Sequence, residues 1–307
     1  MKSIVIIFPY FGKLPPQYGA WRASAIYNSD IDFMFFTDYG VEPATNIIVH
    51  KMLFEEFQQL VQDKFDFPIV LDRPYKLCEY KQAYGYILQN YIKDYDFWGF
   101  GDLDLVYGDI RSFLTGSVLK HKFLLGWGHL TLLHNDEDAN TYFMKQIAGY
   151  QSYKDAFTTS NITFFDEYGY KGCSDKWREC RPDDCWLEWP FDNISFPKQS
   201  YHFNSTTRGW KQVIFEHIDN KLYMLRFNNG QLEKKESLYA HFQHRGFMKD
   251  KVTDYSHFLI TPRSIVDYPK CFIDIRLRLI CRKRSLMTKY YQWKDRIIYK
   301  LGLSKMK

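Results

Sequence analysis

The sequence has no apolar stretch long enough to cross a bilayer. It also lacks a G-x-x-x-x-G-K-[ST] phosphate loop, a G-x-G-x-x-G dinucleotide fingerprint and a G-x-S-x-G nucleophile elbow. These absences disfavour P-loop nucleotide hydrolysis, nicotinamide chemistry and serine hydrolysis. Cysteine is sparse: the six are Cys78, Cys173, Cys180, Cys185, Cys271 and Cys281, and none forms a C-x-x-C pair. Cys173, Cys180 and Cys185 have no second cluster to complete a zinc site, so free thiols in a reducing cytosol are expected. Charge of one sign is also scarce, with 41 Lys and Arg against 36 Asp and Glu, a net +5. Basic residues crowd the end of the chain from Arg276 onward, but no recognised nucleic-acid module accompanies them, and no nucleic-acid partner is expected. The N-terminus runs directly into Ser3-Ile4-Val5-Ile6-Ile7-Phe8, too short for a signal-peptide core and readable as a first strand. A cytoplasmic protein, soluble or peripheral on the inner face of the membrane, is the expectation.

Aromatic residues are in excess, at 19% with 24 Tyr and 26 Phe, which suits a large core and also platforms for sugars or bases. A chain of 307 residues accommodates one large domain with an appendage. Over residues 1–150 strands and helices alternate. Strands are read at Ile4 to Phe8, Asp32 to Phe36, Asn46 to His50, Tyr95 to Gly101, Lys122 to Trp127 and His129 to His134. Helices are read at Tyr18 to Tyr27, Leu53 to Lys64, Tyr75 to Ile92, from Asp109 through Leu114, and at Asp136 to Tyr150 with Asn135 as cap. This alternation predicts an α/β fold, a mostly parallel central sheet flanked by helices. The second half is less regular. Val213 to His217 and Leu222 to Phe227 flank Ile218-Asp219-Asn220-Lys221 as a hairpin, and Leu238 to Gln243 is a further strand. No linker cuts the chain, so a catalytic body over residues 1–270 and a basic amphipathic helical tail over 271–307 are expected.

The stretch Tyr95 to Asp109 carries the strongest chemical signal. A short aromatic strand runs into Asp102-Leu103-Asp104, and alternation puts both carboxylates on one side with Leu103 turned into the core. Two hard oxygen ligands at the C-terminal edge of a sheet strand suit Mn²⁺ or Mg²⁺ shared with a diphosphate. Asp38 ends the second strand at the same edge and can accept hydrogen bonds from a nucleoside, and Tyr10 can stack on a base. Lys76 and Lys81 near a helix start suit a diphosphate, since lysines there oppose the macrodipole otherwise. His129, after Gly128, is placed to contact a sugar hydroxyl. Asp166 and Glu167 form an acidic loop pair that can bind or deprotonate an acceptor. His241, in an alternating run, can complete the metal shell that Asp102 and Asp104 begin.

The blocks Lys76-Leu77-Cys78-Glu79-Tyr80-Lys81-Gln82-Ala83-Tyr84-Gly85 and Gly99-Phe100-Gly101-Asp102-Leu103-Asp104-Leu105-Val106-Tyr107-Gly108-Asp109-Ile110 resemble those of bacterial sugar-nucleotide glycosyltransferases of the GT-A fold. More narrowly, the chain resembles an uncharacterised polysaccharide-biosynthesis family with K-L-C-[DE]-[FY]-K-x-A-Y-G and D-L-D blocks. Gly128 to Leu132, Phe165-Asp166-Glu167 and His241-Phe242-Gln243 fit as well, so the resemblance spans roughly residues 3 to 246. It implies a GT-A-like fold, a nucleotide-diphosphate sugar donor, usually a uridine one, and a divalent ion on the Asp-x-Asp pair. In related retaining galactosyltransferases a later His joins that pair, and His241 is the matching position.

The expected activity is transfer of a sugar to a cell-surface polysaccharide or a lipid-linked glycan. A metal-dependent nucleotidyltransferase and a non-catalytic glycan-binding protein are the rival readings. Between Ile273 and Leu303, Arg276, Arg278, Arg282, Lys283 and Arg284 among other cations alternate with aliphatic and aromatic residues, a pattern suited to an anionic membrane surface.

Overall fold

The computed structural model describes residues 1–195, 203–242, 249–262 and 264–269, with seven further positions beyond 270. Gln243 and nearly all of the basic tail, including Cys271, Cys281 and the cations from Arg276 to Arg284, lie outside the described residues. The chain is a mixed α/β protein divided into two compact units. The first comprises Met1–Leu14, Ala25–Asp102 and Arg111–Trp189; the second comprises Pro15–Ser24, Leu103–Ile110 and Pro190–Lys307. Each unit draws on separated stretches of chain, so a division into two bodies leaves no Gly- or Pro-rich linker to read.

The first unit is built on a seven-stranded sheet. Its order is Ile47–Lys51, Asp32–Thr37, Ile4–Pro9, Phe97–Gly101, Leu130–His134, Phe123–Trp127, Cys185–Trp186. The first four are parallel neighbours, and only Leu130–His134 runs against those beside it. The continuous apolar run of Ile4–Pro9 follows from its place between two parallel strands, buried on both faces. Asp96 fixes the start of Phe97–Gly101 by accepting from the Ser3 main-chain N–H at 2.8 Å and the Lys2 ammonium at 2.7 Å. The aromatic excess is spent in this core. Tyr80 stacks on Phe157 at 4.1 Å and Trp177 on Phe123 at 5.3 Å.

Tyr75 to Ile92 is not one α-helix. Pro74–Ala83 is a 3₁₀ helix, followed by short α turns at Tyr84–Ile87 and Gln89–Ile92. At three residues per turn, residues three apart share a face. Lys76, Glu79 and Gln82 form one buried polar stripe, and Leu77, Tyr80 and Ala83 a buried apolar one. A 3₁₀ run of this length is uncommon, and the stripe supplies the reason: its side chains bond to fixed partners described below. The α-helix expected over Asp136 to Tyr150 is likewise shorter. It covers Glu137–Thr141, capped by Asp136 rather than Asn135, because the Asp136 carboxylate accepts from the Ala139 N–H at 2.8 Å. Asn135 instead donates to the Ile92 and Tyr95 carbonyls.

The second unit carries a mostly antiparallel sheet. Leu105–Tyr107, Tyr239–Phe242, Asp192–Ser195, Phe203–Ser205, Lys211–Ile218, His257–Ile260, Ser264–Asp267 and Lys249–Asp250 lie side by side in that order. The expected hairpin is present as Lys211–Ile218 and Lys221–Asn228, turned by Asp219 and Asn220 at φ 48° and 60°. A second hairpin follows at once through Asn229-Gly230 to the charged strand Gln231–Ser237, where Arg226 pairs with Glu233. Both turns have the positive-φ residues that match strand twist.

Gly85, in the short α turn Tyr84–Ile87 that follows the 3₁₀ helix, is required by packing. A Cβ there would fall inside contact distance of the Trp98 indole and the Asn140 amide, which are joined by a 2.6 Å hydrogen bond. Gly85→Ala is expected to destabilise the protein by about 1–3 kcal/mol, the usual scale of overpacking. A thermal melt unchanged by this substitution would contradict the close approach.

Candidate functional site

Asp102 follows the strand Phe97–Gly101 directly. Its N–H donates to the His129 carbonyl at 3.1 Å, and its carboxylate accepts from the Lys81 ammonium at 2.8 Å. That ammonium also donates to the Gly128 carbonyl at 2.8 Å and stands 3.5 Å from the Asp166 carboxylate. Burial alone would lower Lys81, but Asp102 and then Asp166 outweigh it and hold the ammonium well above its ordinary range. Lys81 therefore stays cationic and binds three segments together.

Two residues on, Asp104 precedes the strand Leu105–Tyr107. The strand Tyr239–Phe242 sits between Leu105–Tyr107 and Asp192–Ser195, with His241 opposite Leu105 on one side and Asn193 on the other. The Phe242 N–H donates to the Asp104 carbonyl at 3.0 Å, which carries the pairing one step past the strand. This register brings His241 Nε2 to 3.4 Å from the Asp104 carboxylate, while Asn193 Oδ1 lies 3.0 Å from His241 Nδ1. Asp104 and the His241 that faces it, with Asp102 two residues earlier in the chain, are the candidate metal ligands. Two carboxylate oxygens and one imidazole nitrogen fit Mn²⁺ well and Mg²⁺ less well. An amide oxygen on Nδ1 holds the proton there and leaves the Nε2 lone pair for a metal.

Asn193 was not legible as a functional residue. Its strand is anchored by the fully buried Asp192, whose carboxylate accepts from Ser205, Ser237 and the Arg208 guanidinium.

The remaining candidates fall in several places. Tyr10 and Asp38 follow parallel neighbouring strands at the same sheet edge as Asp102. They belong to one loop pair: Asp38 accepts from the Gly12 N–H at 3.3 Å, and the Tyr10 N–H donates to the Phe36 carbonyl. Asp38 is exposed and Tyr10 half-buried. His129 is buried with its ring stacked on Trp127 at 5.8 Å, and its carbonyl holds Asp102. Asp166 is buried rather than at a solvated loop tip. Glu167 rests its carboxylate directly on Gly128, where any Cβ would collide with it.

Lys76 departs from the expectation of an ammonium facing a diphosphate. It is fully buried, and its ammonium donates to the Ala156 and Asn161 carbonyls. Burial lowers its pKa accordingly. Its neighbour on the stripe, Glu79, accepts from the main-chain N–H groups of Thr163 and Phe164 at 2.8 and 2.9 Å. Gln82 donates to Ser174 at 3.0 Å. Lys76 and Glu79 thus tie down the loop that leads to Asp166 and Glu167. The signal available in the sequence was the polar spacing of three.

Burial raises the Asp166 carboxyl to about 8, against the pull of Lys81 and with Glu167 and Asp102 adding to it. Folding thus makes Asp166 take up a proton between its ordinary 3.8 and about 8. A raised folded-state pKa contributes stability at low pH that is lost as pH rises through that window. In Asp166→Asn this loss is absent, so the melting temperature of the variant should gain on that of the native protein between about pH 4 and 8. A difference that stays flat across that range would remove the raised carboxyl.

A second measurement addresses the imidazole. Heteronuclear NMR of histidine-labelled protein is expected to find the His241 proton on Nδ1 in the native chain and in Asn193→Asp. Asn193→Ala should redistribute it toward Nε2. A native His241 protonated on Nε2 would contradict the arrangement.

Among known families, the model described as Family of unknown function (DUF6625) matches residues 6–269. No curated protein and no solved structure matches the chain. No helix among the described residues is long and apolar enough to cross a membrane.

Proposed function

We propose that this chain, which belongs to the Family of unknown function (DUF6625), is a GT-A-like, metal-dependent glycosyltransferase. In this reading it moves a sugar from a nucleotide-diphosphate donor, a uridine one by preference, to a cell-surface polysaccharide or lipid-linked glycan. The observation that carries it is the pairing of Asp104 with the buried His241 imidazole, two residues past Asp102 at the end of a sheet strand. Alternatives with a solvated acid pair give no reason for a buried imidazole 3.4 Å from Asp104 with an amide oxygen on its far nitrogen.

Asp102, Asp104 and His241 would hold Mn²⁺ or Mg²⁺, whose chemistry there is to neutralise charge developing on a leaving diphosphate. The chain's own residues account for the rest. Lys81 offsets the charge of Asp102 and keeps it oriented, with Asp166 beside it. Asp38 and Tyr10, at the same edge, would receive the nucleoside. Glu167, half-buried over Gly128, is the better placed carboxylate to meet an acceptor hydroxyl, with Asp166 held behind it as a protonatable neighbour of Lys81. The basic tail would attach the protein to an anionic membrane surface, where lipid-linked acceptors reside.

Calorimetry with MnCl₂ and uridine diphosphate, followed by product analysis with a panel of nucleotide sugars, tests the proposal. The native protein should bind the diphosphate only with Mn²⁺ and release nucleoside diphosphate slowly from one donor. Asp104→Asn should abolish both while leaving the fold intact, and Asn193→Ala should weaken Mn²⁺ by about 10–100-fold. Pyrophosphate as product would indicate nucleotidyl transfer instead. Unchanged Mn²⁺-dependent binding in Asp104→Asn would refute the assignment.

A further inference from the structure

The strand Phe123–Trp127 contains a bulge. Its register against Leu130–His134 shifts between Leu124 and Trp127, and Leu125 and Gly126 both take left-handed backbone angles, φ 67° and 69°. Such an angle is costly for a leucine. It is held by Arg178, a largely buried guanidinium that donates to the Leu125 and Gly126 carbonyls at 3.0 and 2.9 Å. Bulges re-aim the side chain that follows them, and here that side chain is Trp127.

Trp127 stands at the centre of an aromatic group. Trp189 meets it edge to face at 4.8 Å and 83°, and Tyr168 meets it at 5.7 Å and 69°. The Arg178 guanidinium lies 5.3 Å from the Trp127 ring and 4.4 Å from the Tyr168 ring, bracing both from the protein side. Yet Trp189 is 48% and Tyr168 45% exposed. Two large rings left in water on a braced frame are poor packing but a good receptor surface.

We propose that Trp189, Tyr168 and Trp127 form a binding platform for a neutral pyranose of the acceptor glycan. The inference rests on the transferase reading for the word acceptor, but not for the binding itself. Three features choose a sugar as occupant. Trp189 and Tyr168 are the exposed rings that can meet the C–H side of a pyranose, and Trp127, stacked on His129, seats them. Carboxylates are at hand, Glu167 against Gly128 and the exposed Glu188 next to Trp189 in the chain, and carboxylates accept hydrogen bonds from hydroxyls while repelling phosphate. Finally, the platform continues into the metal-binding strand end: Gly128 and His129, which follow Trp127, give their carbonyls to Lys81 and to the Asp102 N–H. An anionic lipid headgroup or a nucleotide would meet these carboxylates, while the Arg178 guanidinium is already taken up by the Leu125 and Gly126 carbonyls.

The test is fluorine NMR of fluorotryptophan-labelled full-length protein, with Trp189 and Trp127 assigned by substitution. Neutral probes are linear oligosaccharides of glucose, galactose and N-acetylglucosamine; phosphatidylglycerol vesicles and uridine monophosphate form separate arms. At least one oligosaccharide is expected to shift both resonances saturably at millimolar concentration. Trp189→Ala and Tyr168→Ala should each weaken that binding by about tenfold, the scale of losing an aromatic anchor, with the Mn²⁺ titration unchanged. No shift with any oligosaccharide, a response to vesicles or the nucleotide alone, or binding unaltered in both variants would overturn the platform. Saturable sugar binding in a protein that takes up neither Mn²⁺ nor uridine diphosphate would keep the platform and remove the transferase reading, so the two failures are distinguishable.

Discussion

An ammonium group held between two aspartates organises the first unit. Lys81 reaches from the 3₁₀ helix to Asp102 at a strand end, to the Gly128 carbonyl, and to Asp166 in a later loop. Taking ionisable groups out of water, Asp166 fully and Lys81 and Asp102 in part, is expensive unless each finds a partner. Once made, the cluster cannot be loosened one member at a time without stranding a charge. The constraint fixes Asp102 before any ligand arrives, and preorganised ligands are what a metal or a diphosphate needs.

The same economy runs along the helix that carries Lys81. Lys76 and Glu79 are buried and satisfied almost wholly by main-chain groups of residues 156–164. A buried polar side chain with fixed partners makes a loop as rigid as a strand. That rigidity is transmitted to Asp166 and Glu167, which follow in the chain. Residues that look suited to grip a substrate therefore act one step earlier, by holding the loop that presents the acids.

In the second unit, the equivalent constraint is strand pairing. Tyr239–Phe242 is paired on both edges, antiparallel to Leu105–Tyr107 and parallel to Asp192–Ser195. A slip by one residue would turn His241 to the opposite face. The buried Asp192, gripped by Arg208 and two serines, pins the strand that supplies Asn193. Imidazole position and proton location are thus consequences of one register.

Local pattern alone determined a good deal. The apolar runs located the parallel strands, the Asp-x-Asp at the end of one of them, and the Asp219-Asn220 hairpin, because period-two and turn signals are written in neighbouring residues. The adjacent Asn229-Gly230 hairpin carried an equally strong turn signal, but its charged second strand lacks the apolar alternation by which strands are sought. The 3₁₀ helix was hidden because spacings of three also satisfy an α-helical count until the polar stripe is weighed with them. Beyond this, tertiary structure decided. Whether a lysine faces solvent or a carbonyl of a distant loop depends on what packs over it, and no local spacing encodes that for Lys76 or Lys81. His241 meets Asp104, and Asn193 meets His241, only because strands far apart in sequence pair in one register; that choice is made by the energy of the whole sheet, not by the residues on either side of the histidine.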